Sequence, residues 1–253
     1  MISAEATPHP EQPTVNLLIL LVVIQASTPP PLRVYFVGNS LTFRNDLPGM
    51  VVELGRSLEP RLSIEAGMTA RDGMSLERHW HDGEVLRRLR EKKDWDVLVL
   101  QEQSFRLLAD PGQTERYLRL FADAARDAGT EVILMQTWVR AEMPEAHERQ
   151  RESYRKVAKA VNVRLAPIGD AWRRARTELP RVALHHPDGL HTSREGTYLT
   201  AAMLVGMLAG RSPEPARPLV AGDPAAAGAL RALAWRTLLC SPASQASARP
   251  ARR

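Results

Sequence analysis

Five short apolar runs, each separated from the next by a segment of helical spacing, constrain this chain more than any other feature. They occupy residues 33–37, 62–66, 96–100, 131–135 and 163–168. The first, third and fourth are rich in Val, Leu and Ile without polar alternation, the pattern of strands buried on both faces. Between the first two, residues 47–58 carry apolar side chains at 47, 50, 51, 54 and 58, which is one face of a helix. Residues 76–89, 117–128 and 147–161 repeat that spacing, and 171–177, 197–208 and 225–239 follow the last run. The alternation predicts an α/β fold: a five-stranded parallel sheet with helices on both faces and right-handed crossovers. A chain of 253 residues suffices for one such domain, assigned here to residues 32–240.

Two ends fall outside the pattern. Residues 15–24 are apolar and lead into Gln25-Ala26-Ser27 and three prolines. The run has the length of a signal-peptide core and is too short for a transmembrane span. Residues 1–14 contain Glu5 and Glu11 but no Lys or Arg, so the positive start of an export signal is missing. Residues 1–31 therefore read as an atypical signal, implying a periplasmic or secreted protein, or as a disordered leader of a cytoplasmic one. Residues 241–253 read as a disordered tail. The one cysteine, Cys240, excludes an intrachain disulfide and a Cys-based metal site, and reads as a structural thiol at a helix end. The net charge of +5 is partly carried by Arg249, Arg252 and Arg253. No Lys/Arg stripe interleaved with aromatics accompanies it, so nucleic acid is not an expected partner.

Two segments carry chemistry. The first strand runs directly into Gly38-Asn39-Ser40-Leu41-Thr42. Ligands of open parallel sheets collect beyond the carboxyl ends of the strands, and a serine just past the first strand sits there. Alone, Asn39-Ser40 is equally an ordinary turn or helix cap. The second segment is Asp188-Gly189-Leu190-His191. A histidine can take the proton of a serine hydroxyl, and an aspartate three residues earlier can hold that histidine in the required tautomer. Alone, this pair is equally a capped turn with a surface histidine. No Gly-x-Ser-x-Gly elbow, phosphate loop or dinucleotide fingerprint occurs.

Together the two segments resemble the SGNH (GDSL-type) hydrolases. Gly38-Asn39-Ser40-Leu41 stands where the family has G-D-S-L. Residues 188–198 are similar to its D-G-x-H-P-S-x-x-G-x-x ending, with Thr192 in place of the Pro. The resemblance covers about residues 32–210 and implies a flavodoxin-like three-layer α/β/α sandwich. It further implies a serine esterase with a Ser40–His191–Asp188 triad, no cofactor, and an oxyanion hole. The hole's donors would be the N–H of Ser40, a glycine N–H after the second strand and an Asn side chain after the third. Gly67 and Gly73 compete for the second, and Gly73 is preferred because it precedes a helical run. For the third, Gln101-Glu102-Gln103-Ser104 is similar to the Q-E-Q-S block of a bacterial subgroup, with Gln103 in the Asn position. Asn39 for Asp is the less consequential departure, since the nucleophile is its neighbour. The expected substrate is a small-molecule or glycan ester with a short acyl group, such as acetyl on a carbohydrate.

Two alternatives accompany this reading. His79-Trp80-His81-Asp82 and His185-His186-Pro187-Asp188 are rich in metal-ligand types. His79 and His81 are two apart on a helical run and so face different ways, and no metal is expected; His79 reads as a structural or cleft residue. The second alternative is a degenerate SGNH domain that binds carbohydrate without hydrolysing it, motivated by Gln103.

Overall fold

The computed structural model describes residues 29–91, 95–217 and 224–241. Strands β1 (Leu32–Gly38), β2 (Ile64–Ala70), β3 (Val97–Gln101), β4 (Glu131–Met135) and β5 (Arg164–Ala166) form one sheet. All pairings are parallel and the order is β2-β1-β3-β4-β5, the flavodoxin-like order. Helices α1 (Ser40–Phe43) and α2 (Leu47–Arg56) follow β1. Helices α3 (Leu76–Asp82) and α4 (Glu84–Glu91) follow β2, and α5 (Arg106–Ala109) and α6 (Pro111–Asp127) follow β3. Helix α7 (His147–Val161) joins β4 to β5, and α8 (Ile168–Glu178), α9 (Arg194–Ala209) and α10 (Pro224–Leu239) complete the described chain.

Both parities of the central strands are buried, which explains their unbroken apolar runs. Val34, Phe36, Val97 and Val99 face a core shared with α2, α8, α9 and α10. Tyr35, Val37, Leu98 and Leu100 face the other, built with α3, α4, α6 and α7. The expected three-layer α/β/α arrangement is therefore present. Helix α9 is buried along nearly its whole length, packed between α2 and α10.

Three expected elements shift, each for a local reason. The second strand runs to Ala70 rather than stopping at residue 66. Gly67 looks like a strand end in sequence, yet it pairs with Tyr35 in mid-strand. The Trp95 indole fills the space its missing side chain leaves. The helix expected over 76–89 is two helices, because Gly83 takes the left-handed conformation (φ 73°) and its N–H closes onto His79 O. The fifth strand ends at Ala166, since Ile168 already opens α8.

Among the described residues, no helix is long and apolar enough to cross a membrane. The expected leader lies outside the described residues up to residue 28, and the expected tail does so beyond Ser241. Ser241 itself is buried. Cys240, just past the end of α10, is exposed rather than packed as a structural thiol.

Candidate active site

The sheet order places β1 at the switch point, with β2 on one side and β3 on the other, where ligands of such sheets bind. Ser40 opens α1 directly beyond β1, and Asn39 caps that helix, its Oδ1 accepting from Leu41 N at 3.1 Å. The turn is held from beneath by Gln101, the last residue of β3. Its Oε1 accepts from Asn39 N at 2.8 Å and from Thr42 Oγ1 at 2.9 Å. That close approach explains Gly38: a Cβ there would collide with Thr42 Oγ1 and the Gln101 side chain.

His191 arrives from a loop 151 residues away in sequence, and its Nε2 lies 3.0 Å from Ser40 Oγ. Its Nδ1 lies 2.7 Å from Asp188 Oδ2. A carboxylate can only accept here, so Nδ1 carries the proton and Nε2 is left as the acceptor facing the serine hydroxyl. Asp188 Oδ1 accepts from the N–H groups of Leu190 (2.9 Å) and His191 (2.8 Å). Partial removal from water opposes the charge, but the His191 and Leu190 N–H groups and the His191 ring outweigh it. They hold the carboxyl well below the usual carboxylate range. His186 Nδ1 and Arg44 lie further out, 3.1 and 4.0 Å from Oδ2.

The 185–192 loop is fastened at several points. Trp138 Nε1 donates to Leu190 O at 2.9 Å, His185 Nε2 to Val139 O at 3.0 Å, and Ala141 N to Gly189 O at 2.9 Å. Gly189 sits at φ 70°, a conformation that favours glycine. Trp138 is itself stacked on Trp172, with ring centroids 3.9 Å apart and planes nearly parallel. The loop is also tied across to the serine side. The Asn45 amide lies 3.2, 3.1 and 2.9 Å from Thr192 O, Ser193 O and Thr197 Oγ1.

The oxyanion candidates fare differently. Gly67 is removed by its mid-strand position under Trp95. Gly73 sits at φ 64° with no atom within 4 Å of a would-be Cβ, in the turn that leads to α3. Asn39 Nδ2 donates to Met74 O at 3.0 Å, binding that turn to the serine's turn. Gln103 is half-buried and turns its amide oxygen to Phe105 N (3.3 Å), leaving the NH₂ half available to an anion. Glu102 between the glutamines is buried. It accepts from Leu76 N, Gln103 N and Thr114 Oγ1 at 3.2, 2.7 and 3.1 Å, while burial pushes its carboxyl up.

The Asn39 contact gives the less consequential departure, Asn for Asp, a structural part of its own. Only an amide can give a hydrogen to Met74 O while accepting from Leu41 N. Asn39→Asp should set a carboxylate oxygen against a carbonyl in a buried site and cost about 1–3 kcal/mol. Denaturant unfolding of the two proteins measures this; equal stability would show that the turn does not depend on the amide.

Sequence reasoning missed the holding roles of Gln101, Asn39, Asn45 and Trp138. The Gln101-Glu102-Gln103 block was the one available signal. The histidine clusters disperse: His79 contacts Gly38 O, His81 Tyr117, His185 Val139 O and His186 Asp188. Among the described residues no three His, Cys, Asp or Glu side chains gather as a metal site requires.

No protein-family model and no curated protein sequence matches the chain. Solved structures do. A protein from Slackia heliotrinireducens assigned to the SGNH hydrolases is 26% identical, with a TM-score of 0.60 over 70% of this chain and 98% of its own. A DUF4886 family protein from Bacteroides uniformis is 21% identical, with a TM-score of 0.69 over 83% and 95%. An acetylxylan esterase from Geobacillus stearothermophilus is 16% identical, with a TM-score of 0.52 over 67% and 90%. The fold is thus that of SGNH hydrolase-like structures.

Proposed function

We propose that this protein is a serine esterase that removes short acyl groups through an acyl-enzyme on Ser40. One observation carries the reading: the unbroken relay from Ser40 Oγ through His191 to the Asp188 carboxylate, at 3.0 and 2.7 Å. His191 Nε2 takes the hydroxyl proton as Ser40 Oγ bonds to the ester carbonyl carbon. The tetrahedral intermediate collapses with the alcohol leaving, protonated by His191. A water, deprotonated by the same nitrogen, then releases the acid and restores Ser40. Asp188 holds the ring's orientation and stabilises the imidazolium. The charge on the former carbonyl oxygen falls to the N–H groups of Ser40 and Gly73 and to the Gln103 amide. Each such donor typically contributes on the order of 100-fold in rate.

The chain has few aromatic residues and no long apolar segment to serve as a lid over a lipid chain. The acetylxylan esterases among its structural neighbours suggest acetyl on a carbohydrate. The Gln101-Glu102-Gln103-Ser104 block resembles that of the subgroup with the same variant. The test combines a fluorophosphonate probe with nitrophenyl esters of increasing acyl length. A covalent adduct on Ser40 and a rate that falls from acetate to octanoate are expected. Folded protein that takes no label would instead support the binding-module alternative, and a rising rate would make it a lipase.

A further inference from the structure

One buried side chain at this site has no part in the steps above. His79 lies in α3 and is fully buried. Its Nε2 is 2.7 Å from the carbonyl oxygen of Gly38, two residues before the nucleophile. A carbonyl only accepts, so Nε2 bears the hydrogen. Nδ1 is then an unprotonated lone pair, and it has no hydrogen-bond partner among the described residues. A second proton there would put an unpaired N–H and a charge in a buried site. Burial accordingly lowers the pKa of His79 and Arg71 reinforces this, against the Gly38 carbonyl, Asp82 and Glu84, which act the other way. The ring is a neutral donor with one task.

That task is defined by the peptide it touches. The Gly38–Asn39 peptide gives its C=O to His79 and its N–H to Gln101 Oε1. The two side chains come from different elements and clamp one peptide plane from both edges. Helix α3 is itself located relative to β3, because Leu76 N donates to Glu102, so His79 enters from an anchored position. Rotating the 38–39 peptide would carry Asn39, its cap bond to Leu41 N and the start of α1 with it. The serine Oγ would then leave the line to His191 Nε2.

We infer that His79 is a positioning residue for Ser40, its Nε2–H fixing the Gly38–Asn39 peptide and so the direction of the serine hydroxyl. The inference rests on the esterase reading above. It is tested on the full chain with His79→Leu and His79→Met, which fill the space without a donor, and His79→Gln, whose amide can reach the same carbonyl. Turnover of p-nitrophenyl acetate, fluorophosphonate labelling rate and thermal unfolding are measured for each. The apolar variants should lower kcat by about 10- to 100-fold, the scale set by a small misplacement of a reacting group. KM should stay within about twofold, and labelling should slow in parallel. His79→Gln should recover kcat to within about threefold of the parent. The inference is overturned by an apolar variant with the parent's kcat, or by a folded His79→Gln as slow as His79→Leu. Loss of the fold in both apolar variants would make the residue structural and also overturn it. A parent protein that neither turns over nor labels would overturn the esterase reading and this inference with it. An active parent with indifferent variants overturns the positioning role alone.

Discussion

Ser40→Ala is expected to lower kcat for p-nitrophenyl acetate by about 10⁴-fold or more while leaving thermal unfolding nearly unchanged. The two halves of this expectation have separate causes. In the proposed mechanism the hydroxyl is the atom that bonds to the acyl carbon, and nothing else in the relay can take its place. To the fold it contributes one hydrogen bond, to His191 Nε2, worth about 0.5–1.5 kcal/mol. Alanine's better helix propensity at the first residue of α1 partly offsets that loss. The turn's own geometry is held by Asn39, Gln101 and His79, which the substitution leaves in place. Turnover near that of the parent would remove Ser40 from the chemistry; a large drop in melting temperature would mean that the hydroxyl is structural.

Asp188→Asn should be almost as damaging, by about 10³- to 10⁴-fold in kcat, with KM little altered. The amide oxygen can keep the Leu190 and His191 N–H bonds, so the loop stays closed. Its NH₂ then faces His191 Nδ1, which must turn acceptor. The hydrogen moves to Nε2, and the ring presents a donor to Ser40 where a base is needed. The same substitution carries a pH signature. A carboxyl held below its usual range contributes stability above its unfolded pKa of about 3.9. That contribution is lost as pH falls through the folded value. Asp188→Asn should therefore be the less stable protein near neutrality and converge on the parent in strong acid. The side chain is 38% exposed, so solvent keeps the difference small. A full rate in the Asp188→Asn protein would show that Asp188 does not set the histidine's tautomer.

What could be read from sequence was what is local. Ser40 follows its strand without an intervening loop and Asp188 and His191 share one turn, so each segment was visible by itself, and the resemblance of the two together to the SGNH blocks is what joined them. The central strands were legible because both of their faces are covered and their composition is unmixed. The extent of edge strand β2 was not, because it runs on through Gly67, whose place is filled by Trp95 from elsewhere in the chain. The same limit hid the role of Asn39. Its value lies in Met74 O, 35 residues on, and no property of the G-N-S-L segment points there. His79 and Gln101 belong to the same class: each is an ordinary polar residue in its own element until the sheet brings it to the Gly38–Asn39 peptide. The glycines divide likewise. Gly73 and Gly189 answer to a positive φ, whereas Gly38 and Gly67 answer to side chains that only the assembled sheet supplies.

The separation of Ser40 and His191 along the chain also bears on how the molecule is made. Every described strand of the sheet is in place by Ala166, yet the histidine that meets Ser40 enters only at residue 191, and Asn45 fastens to the head of α9 at Thr197. A nascent chain with its sheet already emerged still has no histidine beside Ser40. Closing a contact of that span is among the slower demands on a folding chain. If the proposed esterase activity holds, its acquisition gauges a long-range closure of the fold that helix content, set by local turns, does not report.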